Sequence, residues 1–319
     1  MIDVHSHWVS AGYVDRVRTL LASSPPALAT MLRSISSPSE ALTSLPARVS
    51  EMDRAGAEVS VLSLPPPGVI IGPLGERAEL CRLANDDCLE AASAHPGRFC
   101  VLVAIPLPLV DESLAELDRV ARHPLARGVN LQTAAAEGWT IDHPSLEPVF
   151  TRAAELGLPV LSHPAIEPLL PAWGDFMLGA TLAPMVSSSL GVARIVLSGT
   201  LDRIPGLDVI VPHLGGVLPY LTQRFDDFGP QQARQPLSWY LRHRLYLDTC
   251  SFHPPAFRCA VETSGVDRLV VGTDYPIRGP LQRARDDVTS ALTDPDEQAR
   301  VLRGTARRWF SLDDVAPAR

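Results

Sequence analysis

Eight short apolar runs constrain what this chain can fold into more than any other feature, because a helical pattern follows each run along the sequence. Amphipathic stretches with helical spacing lie between them, for example over residues 76–96, 111–124 and 145–157. Strands that alternate with helices predict an α/β fold with a parallel sheet, and eight of them predict a (β/α)8 TIM barrel. The runs are "IDVHSH" (2–7), "VSVLSL" (59–64), "CVLVAIPL" (100–107), "GVNLQT" (128–133), "LPVLSH" (158–163), "LDVIVPH" (207–213), "LYLDTC" (245–250) and "LVVGTD" (269–274).

The main alternative is a doubly wound open sheet. That fold usually carries a glycine-rich phosphate-binding turn after its first strand, and the segment "HSHWVSAG" at the end of the first run is not such a turn. We therefore predict a single barrel domain over residues 1–319. Helical insertions are expected after the first strand, over about residues 8–58, and after the fifth strand, over about residues 164–206.

Net charge and the distribution of apolar residues argue against several classes of protein. The 319-residue chain has a formal net charge of −8 and no cluster of basic residues, which argues against nucleic acid as a partner. No run of about 18 apolar residues occurs, so we expect no membrane span. The first 20 residues lack the apolar segment of a signal peptide, and the five cysteines form no C-x-x-C pair. These features predict a cytoplasmic protein with free thiols.

Lysine is absent, and all 28 basic residues are arginines. The chain therefore cannot form a Schiff base with a carbonyl substrate or attach pyridoxal phosphate through lysine. A carbamylated lysine that bridges two metal ions is excluded for the same reason.

Four histidines and one aspartate lie where predicted strands end. His5 and His7 end the first strand, and side chains two residues apart in a strand point to the same face. The carboxyl ends of all strands meet on one face of a TIM barrel, where active sites are built. Imidazole and carboxylate groups are ligands of Zn²⁺-type ions, so these ends predict a metal site. The other three residues are His163 at the end of the fifth strand, His213 at the end of the sixth and Asp274 at the end of the eighth.

His213 has two possible roles in such a site, as a metal ligand or as a residue hydrogen-bonded to the water on the ion. The remaining histidines are less strongly indicated as residues of the site. His253 follows the seventh strand and would line the barrel mouth, so it is a candidate substrate contact. The others are expected in turns away from the mouth or on the surface, and they are His95, His123, His143 and His243.

Several of these segments together resemble the amidohydrolase superfamily. "DVHSH", "LSHP", "PHLGGVLPYLTQRFD" and "VVGTDYP" are similar to its signatures, in order from residue 2 to about residue 310. The branch they resemble contains aminocarboxymuconate-semialdehyde decarboxylase and related aromatic-acid decarboxylases of the hydroxybenzoate and picolinate type. The chain departs from the semialdehyde decarboxylase after the fifth strand, where "HPWD" becomes "HPAIEP".

The resemblance implies roles for individual residues. It implies one Zn²⁺ per chain, with Mn²⁺ as the alternative ion, and His213 as the residue that orients and deprotonates the water on that ion. Arg48 and Arg224 match arginines that hold substrate carboxylates, and Arg224 matches one that reaches into the neighbouring subunit of a homodimer. The implied ligands of the ion are His5, His7, His163 and Asp274.

The chemistry that this site would perform follows from the predicted residues. Decarboxylation without oxidation leaves an electron pair on carbon, so the site must supply a proton and a Lewis acid. We predict a carboxy-lyase that acts on a small aromatic or unsaturated carboxylic acid in aromatic compound catabolism, with His213 or Asp274 as the proton carrier. The alternative enzyme is a metal-dependent hydrolase of a lactone, an amide or a related ring compound, which would use the same site. A metal-binding carrier or sensor without catalysis is the third class.

Overall fold

The computed structural model describes residues 1–22, 33–133, 138–165, 175–310 and 312, without the side chains of residues 33 and 34. Its eight parallel strands form one sheet in the order β1 to β8, so each strand pairs with its neighbours in the sequence. The strands are β1 (Ile2–His7), β2 (Val59–Ser63), β3 (Phe99–Ala104), β4 (Ala126–Gln132), β5 (Val160–His163), β6 (Val209–Val211), β7 (Leu245–Asp248) and β8 (Leu269–Val270).

Contacts between the first strand and the chain after the last strand bring the two edges of the sheet together. The amide of Val4 donates to the carbonyl of Val271 at 2.8 Å, and the amide of His7 donates to the carbonyl of Tyr275 at 2.8 Å. The sheet is thus a nearly closed barrel, and the predicted (β/α)8 fold is confirmed.

Helices surround this barrel, and helical segments also occupy the two predicted insertions. Parts of both insertions, residues 23–32 and 166–174, lie outside the described residues, and so does part of the "HPAIEP" segment. No helix in the described ranges is both long and apolar enough to cross a membrane. The helices are α1 (Ala11–Ala22), α2 (Arg33–Ser36), α3 (Glu40–Thr43), α4 (Leu45–Ala55), α5 (Leu74–Ser93), α6 (Val110–Val120), α7 (Glu147–Glu155), α8 (Leu178–Thr181), α9 (Ala183–Leu197), α10 (Thr200–Arg203), α11 (Leu218–Asp227), α12 (Leu237–His243), α13 (Pro254–Ser264), α14 (Gln282–Ala291), α15 (Pro295–Ala299) and α16 (Thr305–Trp309).

The helix α4, which packs behind β1, shows how local sequence sets an element. The hydroxyl of Ser44 accepts a hydrogen bond from the amide of Ala47 at 3.2 Å, and Pro46 occupies the first turn, where its missing N–H costs nothing. The helix ends at Gly56, whose φ of 63° lies in the left-handed region that favours glycine. Arg48 and Met52 lie on the buried face of this helix, toward the barrel.

Alternate residues of the strands face the inside of the barrel and form one buried apolar cluster, closed at the amino-terminal end of the strands by residues from the end of the chain. The pairing of β1 with β2 shifts register between Asp3 and Ser6. One extra residue of β1 lies between these pairs, and such an insertion changes which side chains face inward. The residues inside the barrel are Ile2, Val4, Val59, Val61, Cys100, Leu102, Leu161, Ile210 and Val270, and the residues that close its end are Ala306, Phe310 and Leu312.

This shift has a direct consequence for the site. Ile2 and Val4 pack inside the barrel at the beginning of β1, whereas the next inward-facing residues are the odd-numbered His5 and His7. A strand in regular register could not have both pairs on one face, because its side chains alternate with a period of two. The irregularity in β1 therefore allows an apolar barrel interior and two histidines at the mouth.

Candidate metal centre

Four buried side chains meet at the carboxyl-terminal end of the barrel. His5 and His7 come from β1, His163 from β5, and Asp274 from the segment directly after β8. Each offers one ligand atom, and these atoms all lie within 4.8 Å of one another. Three imidazoles and one carboxylate form a ligand set that suits zinc, manganese or a similar divalent ion. The structure thus brings together all four residues predicted as metal ligands.

Hydrogen bonds fix the orientation of the three imidazole rings. The Nδ1 atom of His5 donates to a carboxylate oxygen of Asp248 at 2.6 Å, and that of His163 donates to the carbonyl of the following residue at 3.1 Å. The Nδ1 atom of His7 lies 3.2 Å from the hydroxyl of Ser63, which itself donates to a backbone carbonyl and so accepts from the ring. Because each Nδ1 carries the proton, each Nε2 presents a lone pair.

These lone pairs converge without a donor between them. The Nε2 atoms of His5, His7 and His163 are buried and have no hydrogen-bond partner among the described residues. The Nε2 of His7 lies 3.0 Å from Oδ1 of Asp274, so two electron-rich atoms face each other. A buried acceptor left unpaired costs about 1–3 kcal/mol, and a cation between these atoms would remove that cost. The residues present therefore fit a divalent metal ion.

The electrostatics of the cluster also suit metal binding. Burial, together with the nearby histidines, holds the pKa of His163 well below its usual value, and burial lowers the pKa of His7. Burial is the largest influence on His5 and alone would lower its pKa, but the carboxylates of Asp248, Asp274 and Asp3 together outweigh it and raise this pKa. Burial alone would raise the pKa of Asp274, but its contacts with histidines hold that pKa well below the usual range. The carboxylate of Asp274 and the neutral imidazoles of His7 and His163 are in the protonation states that bind metal.

The turn after β6 places His213 beside the cluster. His213 has a φ of 58°, a strained conformation for a residue with a side chain, and its amide donates to Asp248 at 2.7 Å. The Nε2 atom of His213 lies 3.6 Å from Oδ2 of Asp274, and its Nδ1 is buried without a partner. His213 therefore lies beside Asp274, at a separation slightly longer than a hydrogen bond.

Asp248 belongs to the site by its contacts, and the sequence interpretation missed it. Its carboxylate is fully buried and accepts three hydrogen bonds, from the ring of His5, from the amide of His213 and from the amide of Cys250 at 2.9 Å. It thus orients one predicted ligand and fixes the backbone of the predicted acid/base. The signal was present in the sequence, because Asp248 ends the strand in the run "LYLDTC".

Of the three predicted substrate-binding residues, only Arg48 contacts a residue of the ligand set. Arg48 is fully buried behind β1, and its guanidinium donates to the carbonyl of His7 at 2.5 Å and to the hydroxyl of Ser6 at 3.1 Å. Arg224 is exposed on α11, and His253 is exposed just before α13. The structure places only Arg48 against the ligand set, through the backbone of His7.

A small cavity of about 20 Å³, open to solvent, lies at the carboxyl ends of β2, β3 and β4. Asn130 and Gln132 line it, and each has a buried amide oxygen without a partner, while the Asn130 amide group donates to the carbonyl of Leu64 at 2.8 Å. Gln132 pairs with His163 in the register of β4 and β5, so the cavity adjoins the metal cluster. The rest of its lining includes Val69, Ile105 and Leu107.

Comparison with known proteins agrees with this geometry. The chain is 27% identical over 285 residues to gamma-resorcylate decarboxylase of Rhizobium radiobacter, covering 83% of this chain and 86% of that protein. It is 24% identical over 287 residues to 2-amino-3-carboxymuconate-6-semialdehyde decarboxylase of Dictyostelium discoideum, covering 83% and 76%. A dihydroxybenzoic acid decarboxylase of Polaromonas sp., solved with manganese and the inhibitor 2-nitroresorcinol, superposes with a TM-score of 0.83 at 25% identity, covering 98% and 97%.

These relatives are all named as decarboxylases, which confirms the predicted carboxy-lyase branch. The Polaromonas structure contains manganese, so the predicted zinc is not settled as the ion of this site. The sequence profile of the Amidohydrolase family matches residues 2–312, nearly the whole chain. On this match, and with the four predicted ligands assembled at the mouth of an eight-stranded barrel, the chain belongs to the Amidohydrolase family.

Proposed function

We propose that this protein is a metal-dependent, non-oxidative decarboxylase of a small aromatic or unsaturated carboxylic acid. The observation that carries the proposal is the convergence of three imidazole lone pairs and one carboxylate at the barrel mouth. The decarboxylase relatives supply the reaction class.

His5, His7, His163 and Asp274 would hold one ion, either zinc or manganese. A divalent ion there supplies Lewis acidity and a template for the substrate carboxylate and a neighbouring oxygen. In the reaction the bond between the ring or alkene carbon and the carboxylate breaks, carbon dioxide leaves, and the electron pair left on carbon takes a proton. The residue pair that holds that proton is His213 and Asp274, whose Nε2 and Oδ2 atoms are 3.6 Å apart.

We assign the binding of the substrate carboxylate to ionisable side chains. Arg48, Arg224 and His253 are the proposed contacts of the substrate carboxylate, through charge-assisted hydrogen bonds. Arg224 is exposed on α11, so in this proposal it acts in a homodimer, at the site of the neighbouring subunit. The location that we propose for the protein is the cytoplasm.

In this proposal, the polar groups of the small cavity at the ends of β2–β4 contact a substituent of the substrate ring. The unpaired amide oxygens of Asn130 and Gln132 accept hydrogen bonds. They therefore suit a hydroxyl or amino substituent on the ring, and they disfavour a second carboxylate there.

Metal analysis combined with a product assay tests this proposal. The purified protein is analysed for bound metal and incubated with ortho-hydroxy and ortho-amino aromatic acids, picolinates and muconate semialdehydes, and carbon dioxide is measured. We expect about one ion per chain and carbon dioxide release. Both are lost in His163→Ala and Asp274→Ala. The control is His243→Ala, which changes an exposed histidine stacked on Trp239.

Other outcomes have definite meanings. Ring opening or lactone loss without carbon dioxide would move the assignment to the hydrolase. Metal binding together with tight binding of an acid, but without turnover, would indicate a carrier or sensor. Activity that survives in both ligand variants would show that the four residues do not form the active centre.

A further inference from the structure

The turn that carries His213 has a backbone conformation that needs support from its surroundings. Four consecutive residues, 213–216, have positive φ, and for His213 and Leu214, at 58° and 53°, this conformation is strained because both have side chains. Glycines occupy the last two positions, where positive φ causes little strain. Strained backbone persists only where other contacts fix it, so the contacts of this turn determine where His213 lies.

Helix α9, in the insertion after β5, supplies one of these contacts through Ser189. The hydroxyl of Ser189 donates to the carbonyl of Met185, one turn earlier in the same helix, at 2.7 Å, and it accepts from the amide of Val217 at 2.8 Å. The bond to Met185 fixes the rotamer of the Ser189 side chain. The hydroxyl oxygen therefore faces the end of the turn, where it can accept from Val217.

Close packing of the turn against α9 strengthens this connection. A Cβ atom on Gly216 would overlap the carbonyl of Met185 and the hydroxyl of Ser189, so the backbone of the turn lies directly on the helix. At the beginning of the turn, the amide of His213 donates to the carboxylate of Asp248 at 2.7 Å. The turn is thus held at both ends, by Asp248 from β7 and by Ser189 from α9.

We propose that Ser189 is a positioning residue for His213, so that the insertion after β5 helps to set the geometry of the barrel mouth. Loss of the Ser189 hydroxyl would remove the acceptor of the Val217 amide and release one end of a strained turn. The ring of His213 moves with this backbone, and its Nε2 atom lies 3.6 Å from Oδ2 of Asp274. The consequence for catalysis rests on the proposed function, whereas the positioning of His213 does not.

Nuclear magnetic resonance of the histidine rings tests the positioning without any assay of activity. The full-length protein is labelled with ¹⁵N-histidine and loaded with Zn²⁺, because Mn²⁺ would broaden the signals, and His213 is assigned as the signal missing from His213→Gln. Ser189→Ala should shift or broaden the ring signals of His213 and leave those of the exposed His243 unchanged. The matched control is Ser188→Ala, which removes a buried hydroxyl of the same helix that has no partner among the described residues.

Ser189→Cys extends this series, because a thiol is a weaker hydrogen-bond acceptor than a hydroxyl. The shift of the His213 signals in Ser189→Cys should lie between wild type and Ser189→Ala, and if Ser189→Ala does not fold, Ser189→Cys decides alone. Signals of His213 that match the wild type in the folded Ser189 variants, or that shift equally in Ser188→Ala, would overturn the proposal.

Steady-state kinetics of the same variants tests the consequence for the reaction. We expect Ser189→Ala to lower kcat by about three- to thirtyfold, because displacement of a reacting group by about 1 Å can cost about 100-fold. KM and metal content should stay within about twofold of wild type, and Ser188→Ala should keep its kcat. A loss of bound metal that accounts for the loss of activity would overturn the proposal, because Ser189 would then act on the ligands.

The two readouts separate this proposal from the proposed function. An unchanged kcat in a variant whose His213 signals are displaced would contradict His213 as the proton carrier and leave its positioning by Ser189 supported. If no substrate turns over, the proposed function fails, while the ring signals still decide whether Ser189 positions His213.

Discussion

The two halves of the barrel mouth differ in their chemistry. The half formed by the ends of β1 and β5–β8, which we call the charged half, holds the titratable groups His5, His7, His163, His213, Asp248 and Asp274. The half formed by the ends of β2–β4, which we call the neutral half, offers apolar side chains and the two amides of Asn130 and Gln132. The described residues that line the cavity of the neutral half carry no charge. Under the proposed function, the charged half would perform bond breaking and proton transfer, and the neutral half would contact the substrate ring.

Each half also has a fully or nearly fully buried arginine behind it. Arg48 donates to the carbonyl of His7 in the charged half. Arg77 donates to the carbonyls of Gly72 and Leu107, at 3.0 and 2.6 Å, in the loops that follow β2 and β3. A guanidinium with several donors can connect separate backbone segments, so each arginine supports one half of the mouth.

Removal of the metal should have the largest effect and should act on the charged half alone. Chelation is expected to abolish activity and to lower the free energy of unfolding, by about 4 kcal/mol relative to protein with the ion at about 1,000 times its Kd. Urea unfolding with and without chelator measures this difference, and added Zn²⁺ or Mn²⁺ should restore both properties. Full activity in protein shown to be free of metal would contradict the division of roles.

The second largest effect is expected from Asp248→Asn. The substituted amide accepts more weakly than the carboxylate from the ring of His5 and from the amide of His213, so both the ligand and the acid/base lose orientation. Loss of such a partner typically costs about 10- to 100-fold in metal affinity or activity. Competition with a metal indicator gives the affinity. Asp118→Asn, at a half-exposed carboxylate on α6, is the control, and an equal loss there would show that the effect is not local.

The two arginines allow a matched comparison. Arg48→Met and Arg77→Met should each lower the free energy of unfolding by about 1–3 kcal/mol for every buried group left unpaired. Only Arg48→Met should also weaken metal binding, because only Arg48 contacts the backbone of a ligand, His7. Denaturant unfolding and metal titration separate the two effects. A rise in KM for Arg48→Met alone would support the proposed contact of Arg48 with the substrate carboxylate, and unchanged metal binding in both variants would contradict its support of the His7 backbone.

Much of this site could be predicted from the sequence, because strand periodicity and barrel topology determine which residues lie at the barrel mouth. His163 and Asp274 lie at strand ends that any parallel barrel brings to one face. The inward direction of His5 and His7 depends on the register shift in β1, which apolar patterning does not reveal. Packing of α4 against β1 buries Arg48 and directs its guanidinium to Ser6 and the backbone of His7, contacts that the family resemblance behind its prediction does not reveal.

Asp248 shows a second limit of prediction from the sequence. A single carboxylate in an apolar run does not disclose its three hydrogen bonds, because two of the donors come from residues in other positions of the chain, His5 and His213. Sequence patterns place residues on faces and at strand ends. Contacts between residues far apart in the chain require the assembled barrel, and the orientation of the ligands depends on those contacts.

The smallest effect is expected in the neutral half, from Gln132→Leu. The variant keeps the side chain's approximate size and removes one amide oxygen that lacks a partner in the described structure, next to His163 in register. For a substrate with a ring hydroxyl, KM should rise by about two- to tenfold, the equivalent of one hydrogen bond of about 0.5–1.5 kcal/mol. An analogue that lacks the hydroxyl should bind wild type and variant equally, and metal content should stay unchanged. Weaker metal binding in Gln132→Leu would show that the two halves are coupled and would end the division between them.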